Sequence, residues 1–331
     1  MRCWGDNRGP LLGYGTGATL RSPAELGPVE LGGKAVQVTT RGDHACARLD
    51  TGVVRCWGVG LRGQLGHGNK DDIGDNETAA SAGDVPVGGK ATQVSGGDEY
   101  TCAVLDSGHV RCWGNGLSGQ LGHSKPSIIG DDEPASAAGD VPVEGKVTQV
   151  SASAGHTCAL LDSGNIRCWG NNLYGQLGYG DTQNRSASSA ADVPVGGKVL
   201  QVTAGYYFTC ALLDSGNVRC WGNNSYAQLG QYNNATVIGD NEPASAAGDV
   251  PVGGKVIQIS AGEEHVCALL DSGNVRCWGA GYSGALGHGN KQNVGWGEPP
   301  EKVGDVPIGG KVVQISAGKG HTCALLDSGK V

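Results

Sequence analysis

The sequence predicts an all-β protein, a six-bladed β-propeller with four strands in each blade. Three observations support this fold class. A motif ending in Cys-Trp-Gly recurs six times, its copies lie 52 to 57 residues apart, and the chain holds 60 glycines but a single phenylalanine and a single methionine. Repetition at a fixed period is typical of arrays whose units bury their faces against their neighbours. The glycine content suits short strands joined by many turns.

The strands of one repeat can be followed in the copy that ends at Gly279. Residues 255–259 are rich in β-branched side chains, residues 265–270 lead into an Asp-Ser-Gly turn, and residues 274–278 leave that turn. Glycine stands third in the turn, where a three-residue hairpin loop needs a positive φ. A short Gly-Gln-Leu-Gly segment, as at 175–178, is the expected fourth strand.

The two ends of the chain are complementary halves of one repeat. The stretch from Cys323 to Val331 stops at the repeat position of Val275, and the chain opens at the following position with Arg2. We therefore expect the N-terminal strand to pair with the C-terminal hairpin and close the ring. Residues 1–331 then form a single propeller domain. No signal peptide precedes Arg2.

The cysteines occur in pairs ten residues apart, each pair spanning one hairpin. Residues so spaced around a three-residue turn lie opposite one another on antiparallel strands, within reach of a disulfide. Twelve cysteines give six predicted pairs, the last across the ring closure: Cys46 and Cys56, Cys102 and Cys112, Cys158 and Cys168, Cys210 and Cys220, Cys267 and Cys277, Cys3 and Cys323. Such pairing indicates an oxidising compartment, so the expected location is secreted, periplasmic or on the cell surface.

Two other roles for the cysteines stay open from the sequence. They could be reduced and serve as small buried apolar groups. They could also bind zinc together with a histidine, as His156, Cys158 and Cys168 would. Two repeats place Tyr100 and Phe208 at the histidine position, which disfavours zinc. The recurring histidines are interpreted as a structural set that hydrogen-bonds the adjacent turn: His44, His156, His265 and His321.

The segment from Gly155 to Gly178 has the sequence GHTCALLDSGNIRCWGNNLYGQLG. It resembles the repeat of the regulator of chromosome condensation family, in its cysteine-bearing bacterial form, and the resemblance extends over essentially the whole chain. It implies a propeller fold; founding members have seven blades, whereas this chain has six motifs. The six tryptophans of the repeat are expected to pack between sheets.

The family resemblance implies several functions. Members act as small-GTPase exchange factors on chromatin, as an ultraviolet-B photoreceptor in plants, or as secreted β-lactamase inhibitors. With 32 acidic against 24 basic residues, a net charge of −8 and no basic tail, the chain is a poor match for nucleic acid. The tryptophans of the photoreceptor's Gly-Trp-Arg-His-Thr segments are replaced by Glu263, Lys319 and Tyr206.

The sequence contains no motif for enzymatic catalysis. It lacks a Gly-x-Ser-x-Gly elbow, a phosphate-binding glycine loop and a His-Glu-x-x-His helix. Acidic loops of the form Ile-Gly-Asp-x-Glu could offer oxygen ligands to calcium, but their spacing is not that of an EF-hand. They are interpreted as solvated turns. No cofactor and no metal are expected.

Function is expected in the loops, where the repeats differ from one another. Trp296 is the one tryptophan outside the repeated framework, and it lies in a divergent loop with Asn293; Tyr282 and Tyr226 occupy nearby repeat positions. These four are the candidate binding residues. The prediction is a non-enzymatic, monomeric scaffold that binds an unidentified protein partner, without nucleic acid or membrane insertion. The alternatives are a carbohydrate- or calcium-dependent surface binder, and an exchange factor or chromatin binder by family analogy.

Overall fold

The computed structural model describes residues 2–4, 10–15, 27–125, 127–231 and 235–331. Its strands form six sheets of two to four strands, and the strands that pair are antiparallel. The chain divides into two compact units, one of residues 1–157 and 186–188, the other of residues 158–185 and 189–331. The single-domain organisation stays a prediction.

Each sheet follows chain order. The first strands are β1 (Ala35–Arg41), β4 (Ala91–Gly96), β8 (Val147–Ala152), β11 (Val199–Ala204), β15 (Val256–Ala261) and β18 (Val312–Ala317). The second strands are β2 (His44–Leu49), β5 (Tyr100–Leu105), β9 (His156–Leu161), β12 (Phe208–Leu213), β16 (His265–Leu270) and β19 (Thr322–Leu326). The third strands are β3 (Val54–Gly58), β6 (Val110–Asn115), β10 (Ile166–Gly170), β13 (Val218–Asn223) and β17 (Val275–Gly279).

Other elements are short. Two sheets have a fourth strand of two residues, β7 (Ile128–Ile129) and β14 (Val237–Ile238). The helical elements are two 3₁₀ turns, Ala187–Ser189 and Ala244–Ala247, and one helical turn, α1 (Pro300–Val303). Second strands such as β5 and β16 are buried along their whole length, because they lie in the middle of a sheet covered on both faces. First strands such as β4 alternate between buried and exposed residues.

The predicted fourth strand was wrong. The Gly-Gln-Leu-Gly segments form turns, since glycines such as Gly175 and Gly178 have positive φ. The fourth strand instead comes from the loop that follows, as β7 and β14. In three other repeats this loop makes one isolated bridge to the third strand, as between Gly170 and Arg185. Four strands are therefore found in two of the six sheets.

The third strand that the sequence predicted opposite β19 is not found among the described N-terminal residues. Residues 2–4 lie in no strand, and the sheet of β18 and β19 has two strands. The outer edge of β19 is therefore unpaired within the described chain. Trp4 accordingly differs from the tryptophans of the other five repeats: it is 57% exposed, whereas those five are fully buried.

The Gly-Gln-Leu-Gly turns form sockets for the tryptophan of the following repeat. In the first unit, the carbonyl oxygen of Gln64 accepts hydrogen bonds from Trp113 Nε1 (2.9 Å) and Thr101 Oγ1 (3.0 Å). In the second unit, Gln176 O accepts from Trp221 Nε1 (3.0 Å) and Thr209 Oγ1 (2.9 Å). Burying an indole N–H requires such an acceptor. The socket thus joins neighbouring sheets at a fixed distance.

Glutamines on the first strands make a second connection between sheets. Within the first unit, Gln93 Nε2 donates to Val150 O at 2.9 Å while its Oε1 accepts from Val150 N at 2.6 Å. Within the second unit, Gln258 bonds Ile315 in the same two-way manner, at 3.1 and 3.0 Å. We call this pairing the glutamine clasp. It satisfies backbone groups that first strands would otherwise leave unpaired on their free edge.

Candidate functional site

Loops cluster at one end of every sheet. The turn between the first and second strands and the loop after the third strand both lie there, because the second and third strands are antiparallel. Backbone hydrogen bonds join the two: Asn223 N donates to Tyr207 O, and Ala280 N donates to Glu264 O, each at 2.8 Å. We call this the loop end of a sheet. The Asp-Ser-Gly turns lie at the opposite end.

The loop after each third strand is held by polar side chains from its own repeat. In the first unit, Gln64 Oε1 accepts from Arg62 N at 2.8 Å, and Gln120 Oε1 accepts from Ser118 N at 2.9 Å. In the second unit, Gln176 Oε1 accepts from Tyr174 N at 2.9 Å. These glutamines are buried. The loop backbones are therefore fixed in position before any partner binds.

The fixed loops present large exposed side chains at one repeat position, four residues after the tryptophan. In the first unit these are Leu61 and Leu117. In the second unit they are Leu173 and Tyr282, and Tyr226 stands one position further along. Exposed apolar groups on a rigid backbone lose little entropy on binding, which favours a role in recognition.

Tyrosines are concentrated at the loop ends of the second unit. The ring of Tyr174 lies 5.1 Å from that of Tyr207, which lies 4.4 Å from Tyr206. Tyr226 and Tyr282 form a second pair, with ring centroids 6.0 Å apart. These distances are typical of aromatic pairs.

Hydrogen bonds connect the two tyrosine groups through a pair of glutamates. Tyr206 N donates to Glu263 O at 2.8 Å, and the hydroxyl of Tyr282 donates to Glu264 Oε2. The hydrogen bond to Glu264 raises the pKa of Tyr282 to about 12, and burial is the second cause of this shift. Lys319 forms an ion pair with Glu263 at 3.3 Å. We call the five tyrosines together with Glu263 and Glu264 the tyrosine patch.

Among the predicted binding residues, the structure brings Tyr226 and Tyr282 together. Asn293 contributes to the same loop, because its Oδ1 accepts from Gly281 N at 3.0 Å. Asp72 holds the corresponding backbone amide of Gly60 in the first unit, so Asn293 supports the loop. Trp296 is 38% exposed and forms no ring contact with another described aromatic residue.

Sequence reasoning missed three members of the patch, Tyr174, Tyr206 and Tyr207. A signal for them was present, since each stands at a loop position where most other repeats carry small or charged residues.

Two of the four recurring histidines bond neighbouring sheets, not the adjacent turn that the sequence suggested, and His321 is exposed. In the first unit, His44 Nε2 lies 2.8 Å from Thr101 Oγ1; in the second unit, His265 Nε2 lies 2.9 Å from Thr322 Oγ1. Burial lowers the pKa of His44 and His265 to about 4 and that of His156 to about 3. These side chains are neutral at physiological pH and lie inside the protein, so they are structural.

Five of the predicted cysteine pairs are disulfides in the structure. Each joins directly opposed residues of a second and a third strand, with Cα atoms 4.1 Å apart. The sixth pair differs from the prediction, because Cys3 and Cys323 are free thiols. The reason is the missing third strand opposite β19: Cys323 has no opposed partner and is exposed. Five disulfides are compatible with an oxidising, extracellular location.

One acidic cluster lies within the first unit. Carboxyl oxygens of Asp131, Asp132 and Glu133 lie within 4.8 Å of one another. Burial, followed by the neighbouring carboxylate of Asp132, raises the pKa of Glu133. Lys70 balances part of this charge by pairing with Asp131 at 3.1 Å. The loop is thus stabilised by a protein cation.

An all-β repeat scaffold whose fixed loops carry exposed aromatic groups is typical of proteins that bind a partner. Comparison with known families identifies the particular group. The family described as RCC1-like domain matches residues 1–331, and the chain belongs to that family.

The relatives include a receptor and a ubiquitin ligase. The chain is 31% identical to the ultraviolet-B receptor UVR8 of Arabidopsis thaliana, covering 99% of this chain and 71% of that protein. It is 30% identical to the human E3 ubiquitin-protein ligase HERC2, covering 97% of this chain but 6% of the ligase. The chain therefore corresponds to most of the first protein and to one small part of the second.

Solved structures show the same fold at lower identity. Human WBSCR16 superposes with a TM-score of 0.72 at 23% identity, covering 88% of this chain and 72% of that one. Yeast RCC1 (Prp20), solved bound to Kap60, superposes with a TM-score of 0.73 at 20% identity, covering 99% and 76%. These RCC1-like neighbours place the chain among β-propeller proteins.

In the part of the chain that the structure describes, no helix is both long enough and apolar enough to cross a bilayer.

Proposed function

We propose that this chain is a non-enzymatic scaffold that binds a protein partner through the loop ends of its sheets. The observation that carries the proposal is the loop construction: buried polar side chains fix the backbone, while leucines at one repeat position, together with Tyr226 and Tyr282, remain exposed. Yeast RCC1 (Prp20) was solved as a complex with Kap60, and a second structure of Prp20p was described together with its binding to Gsp1p and histones. The relatives therefore favour protein binding as the function of this fold.

The disulfides support action in an oxidising compartment, on the cell surface or outside the cell. Each closes a short hairpin, and all five lie in the buried interior. Reducing conditions would remove these cross-links and the stability that they supply. A net charge of −8 favours a soluble monomer that repels nucleic acid.

We also propose that the sheets are six blades of a closed ring. Two observations support closure, one in each unit. In the first, Val38 of β1 is 40% exposed although its counterpart Val94 is 1% exposed. In the second, Gln314 of β18 stands at the clasp position but is exposed, without a described partner. In the other repeats both positions are at least partly buried.

Cys3 and Tyr14 support a contribution from the N-terminal segment to this ring. The hydroxyl of Tyr14 bonds both N and O of Cys3, each at 3.0 Å. Tyr179 makes the same two bonds to Cys168, at 3.2 and 3.0 Å, in a complete repeat of the second unit. Cys3 and Tyr14 therefore correspond to two residues of the second half of a repeat, which is the half that β19 lacks.

Site-specific photo-crosslinking tests the binding function. A photoreactive residue at Leu61 or Leu173 probes the loop ends, and the same residue at Ser107 or Ser163 probes the exposed turns at the opposite ends. In an extract of the source organism, we expect protein adducts from the first two positions and none from the last two. Equal adducts from both sets, or none at all, would contradict the proposal.

A further inference from the structure

The tyrosine patch combines aromatic faces with carboxylates, and this combination recognises a particular chemistry. Ring faces attract cations, and carboxylates form charge-assisted hydrogen bonds with guanidinium groups. Glu264 uses one oxygen, Oε2, on Tyr282, and no described residue bonds its Oε1. Tyr282 contacts this carboxylate, and Tyr206 bonds the backbone of the adjacent Glu263.

The charge around the patch favours the same ligand. Glu263 and Glu264 are adjacent, and the chain as a whole is acidic. The cation that the structure places on the patch is Lys319, whose side chain is 83% exposed while it pairs with Glu263 at 3.3 Å. An exposed lysine gains little from such a pair and can be displaced. A planar guanidinium that stacks on a ring while bonding a carboxylate makes both interactions at once.

The corresponding loops of the first unit lack the aromatic groups, although Asp98 and Glu99 supply carboxylates at the positions of Glu263 and Glu264. The tyrosine nearby, Tyr100, is fully buried. The loops hold the exposed Leu61 and Leu117 and the half-buried Arg62 and Ser118. Five of the nine tyrosines of the chain are instead collected in the patch. The aromatic character therefore belongs to this part of the scaffold and does not follow from the repeat.

We propose that the tyrosine patch binds an arginine-bearing peptide segment of a partner protein, with Glu264 as the hydrogen-bond acceptor and Tyr206, Tyr207 and Tyr282 as the aromatic faces. The inference rests on the proposed function, because it specifies the partner of the same loop ends.

Fluorescence anisotropy with defined peptides tests this inference on the full disulfide-bonded chain. The probe is a labelled Ser-Gly-Arg-Gly-Arg-Gly-Ser peptide, and the matched control replaces both arginines by citrulline, a neutral group of the same shape. We expect binding of the arginine peptide and at least about tenfold weaker binding of the citrulline peptide, since both the ion pair and the cation–π attraction require charge. Equal binding of both peptides would overturn the proposal.

Substitutions test whether the arginine peptide binds at the tyrosine patch. Glu264→Gln and the double variant Tyr206→Leu with Tyr207→Leu should each weaken the arginine peptide about three- to tenfold. Ser107→Ala with Ser163→Ala, in the exposed turns at the opposite ends of the sheets, should leave it unchanged. Lys319→Gln should strengthen binding about twofold or more, because it releases Glu263. A gain of affinity cannot result from misfolding, so this variant keeps the test decisive.

Other outcomes separate this inference from the proposed function. Binding of chito-oligosaccharide or malto-oligosaccharide at the patch, with no arginine selectivity, would overturn the inference in favour of a sugar ligand. Loop-end photo-crosslinks that persist in the Glu264→Gln variant would leave the scaffold function standing and show that its partner docks elsewhere. Loss of all loop-end crosslinks in the unmodified chain would instead contradict the scaffold itself.

Discussion

The indole nitrogen of Trp113 donates to the carbonyl oxygen of Gln64 at 2.9 Å, and this bond joins one repeat to the turn of the repeat before it. Both residues are buried, so neither group can exchange its partner for water. Gly66, at the end of the same turn, lies against the indole. The turn and the tryptophan therefore act as a pair that joins one sheet to the next.

Replacing Gly66 by Ala should lower the free energy of unfolding by about 2 to 4 kcal/mol. Its φ is +79°, and an added Cβ would lie 2.8 Å from Trp113 Nε1 and from Val85 Cγ1. Gly83→Ala is the control, because Gly83 has φ +89° but no atom within 4 Å of an added Cβ. Its cost should be about 1 kcal/mol, from the backbone alone. Urea unfolding measures both, and equal costs would contradict the socket.

The buried histidines should make the protein sensitive to mild acid. Their folded-state pKa values lie below 6.5, at about 4 for His44 and about 3 for His156. Between pH 6.5 and 4 the unfolded chain therefore binds more protons than the folded one, and stability falls as pH decreases through that window. Each such group contributes a slope of up to about 1.4 kcal/mol per pH unit.

Substituting the histidines tests this slope. His44→Phe with His156→Phe should flatten the decline between pH 6.5 and 5, since Phe208 occupies the same position in another repeat. Tyr100→Phe is the matched control: it removes hydrogen bonds to Thr157 and His156 but no group that titrates in this range. It should lower stability by a constant amount across the window. Unfolding midpoints measured at several pH values decide the matter, and an unaltered slope in the double variant would contradict the assignment.

The five hairpin disulfides should each stabilise the chain by about 2 to 3 kcal/mol under oxidising conditions. Cys102→Ala with Cys112→Ala removes one of them and should lower the unfolding midpoint only in the absence of reductant. Cys323→Ala serves as the control, because Cys323 is a free, exposed thiol. It should change the free energy of unfolding by less than about 0.5 kcal/mol. Thiol titration of the denatured, unreduced protein should give two free thiols; twelve would contradict the bonded state.

The glutamine clasp should contribute to the stability of the first unit. Gln93→Ala should lower the free energy of unfolding by about 1 to 3 kcal/mol, since it removes two hydrogen bonds to Val150. Urea unfolding measures this cost, and a change below about 0.5 kcal/mol would contradict a stabilising role of the clasp.

The structure confirms most directly those sequence expectations that depended only on residues close together in the chain. The all-β class and the RCC1-like family follow from the recurring Cys-Trp-Gly motif. The opposed cysteines follow from a ten-residue spacing around a three-residue turn, as for Cys46 and Cys56. The Gly-Gln-Leu-Gly segment was misassigned, because a short apolar run with two glycines fits either a strand or a turn.

The sequence by itself determined the repeat, its hairpins and the family, because these depend on residues close together in the chain. The tertiary structure decided which groups of different repeats meet. It placed His44 against Thr101 and gathered tyrosines from separate repeats beside Glu264. It also left Cys323 without a partner on the unpaired edge of β19. A contact such as that of His44 with Thr101 joins residues about a full repeat apart. Its geometry is set by how the sheets stack, which the spacing of residues along one repeat does not specify.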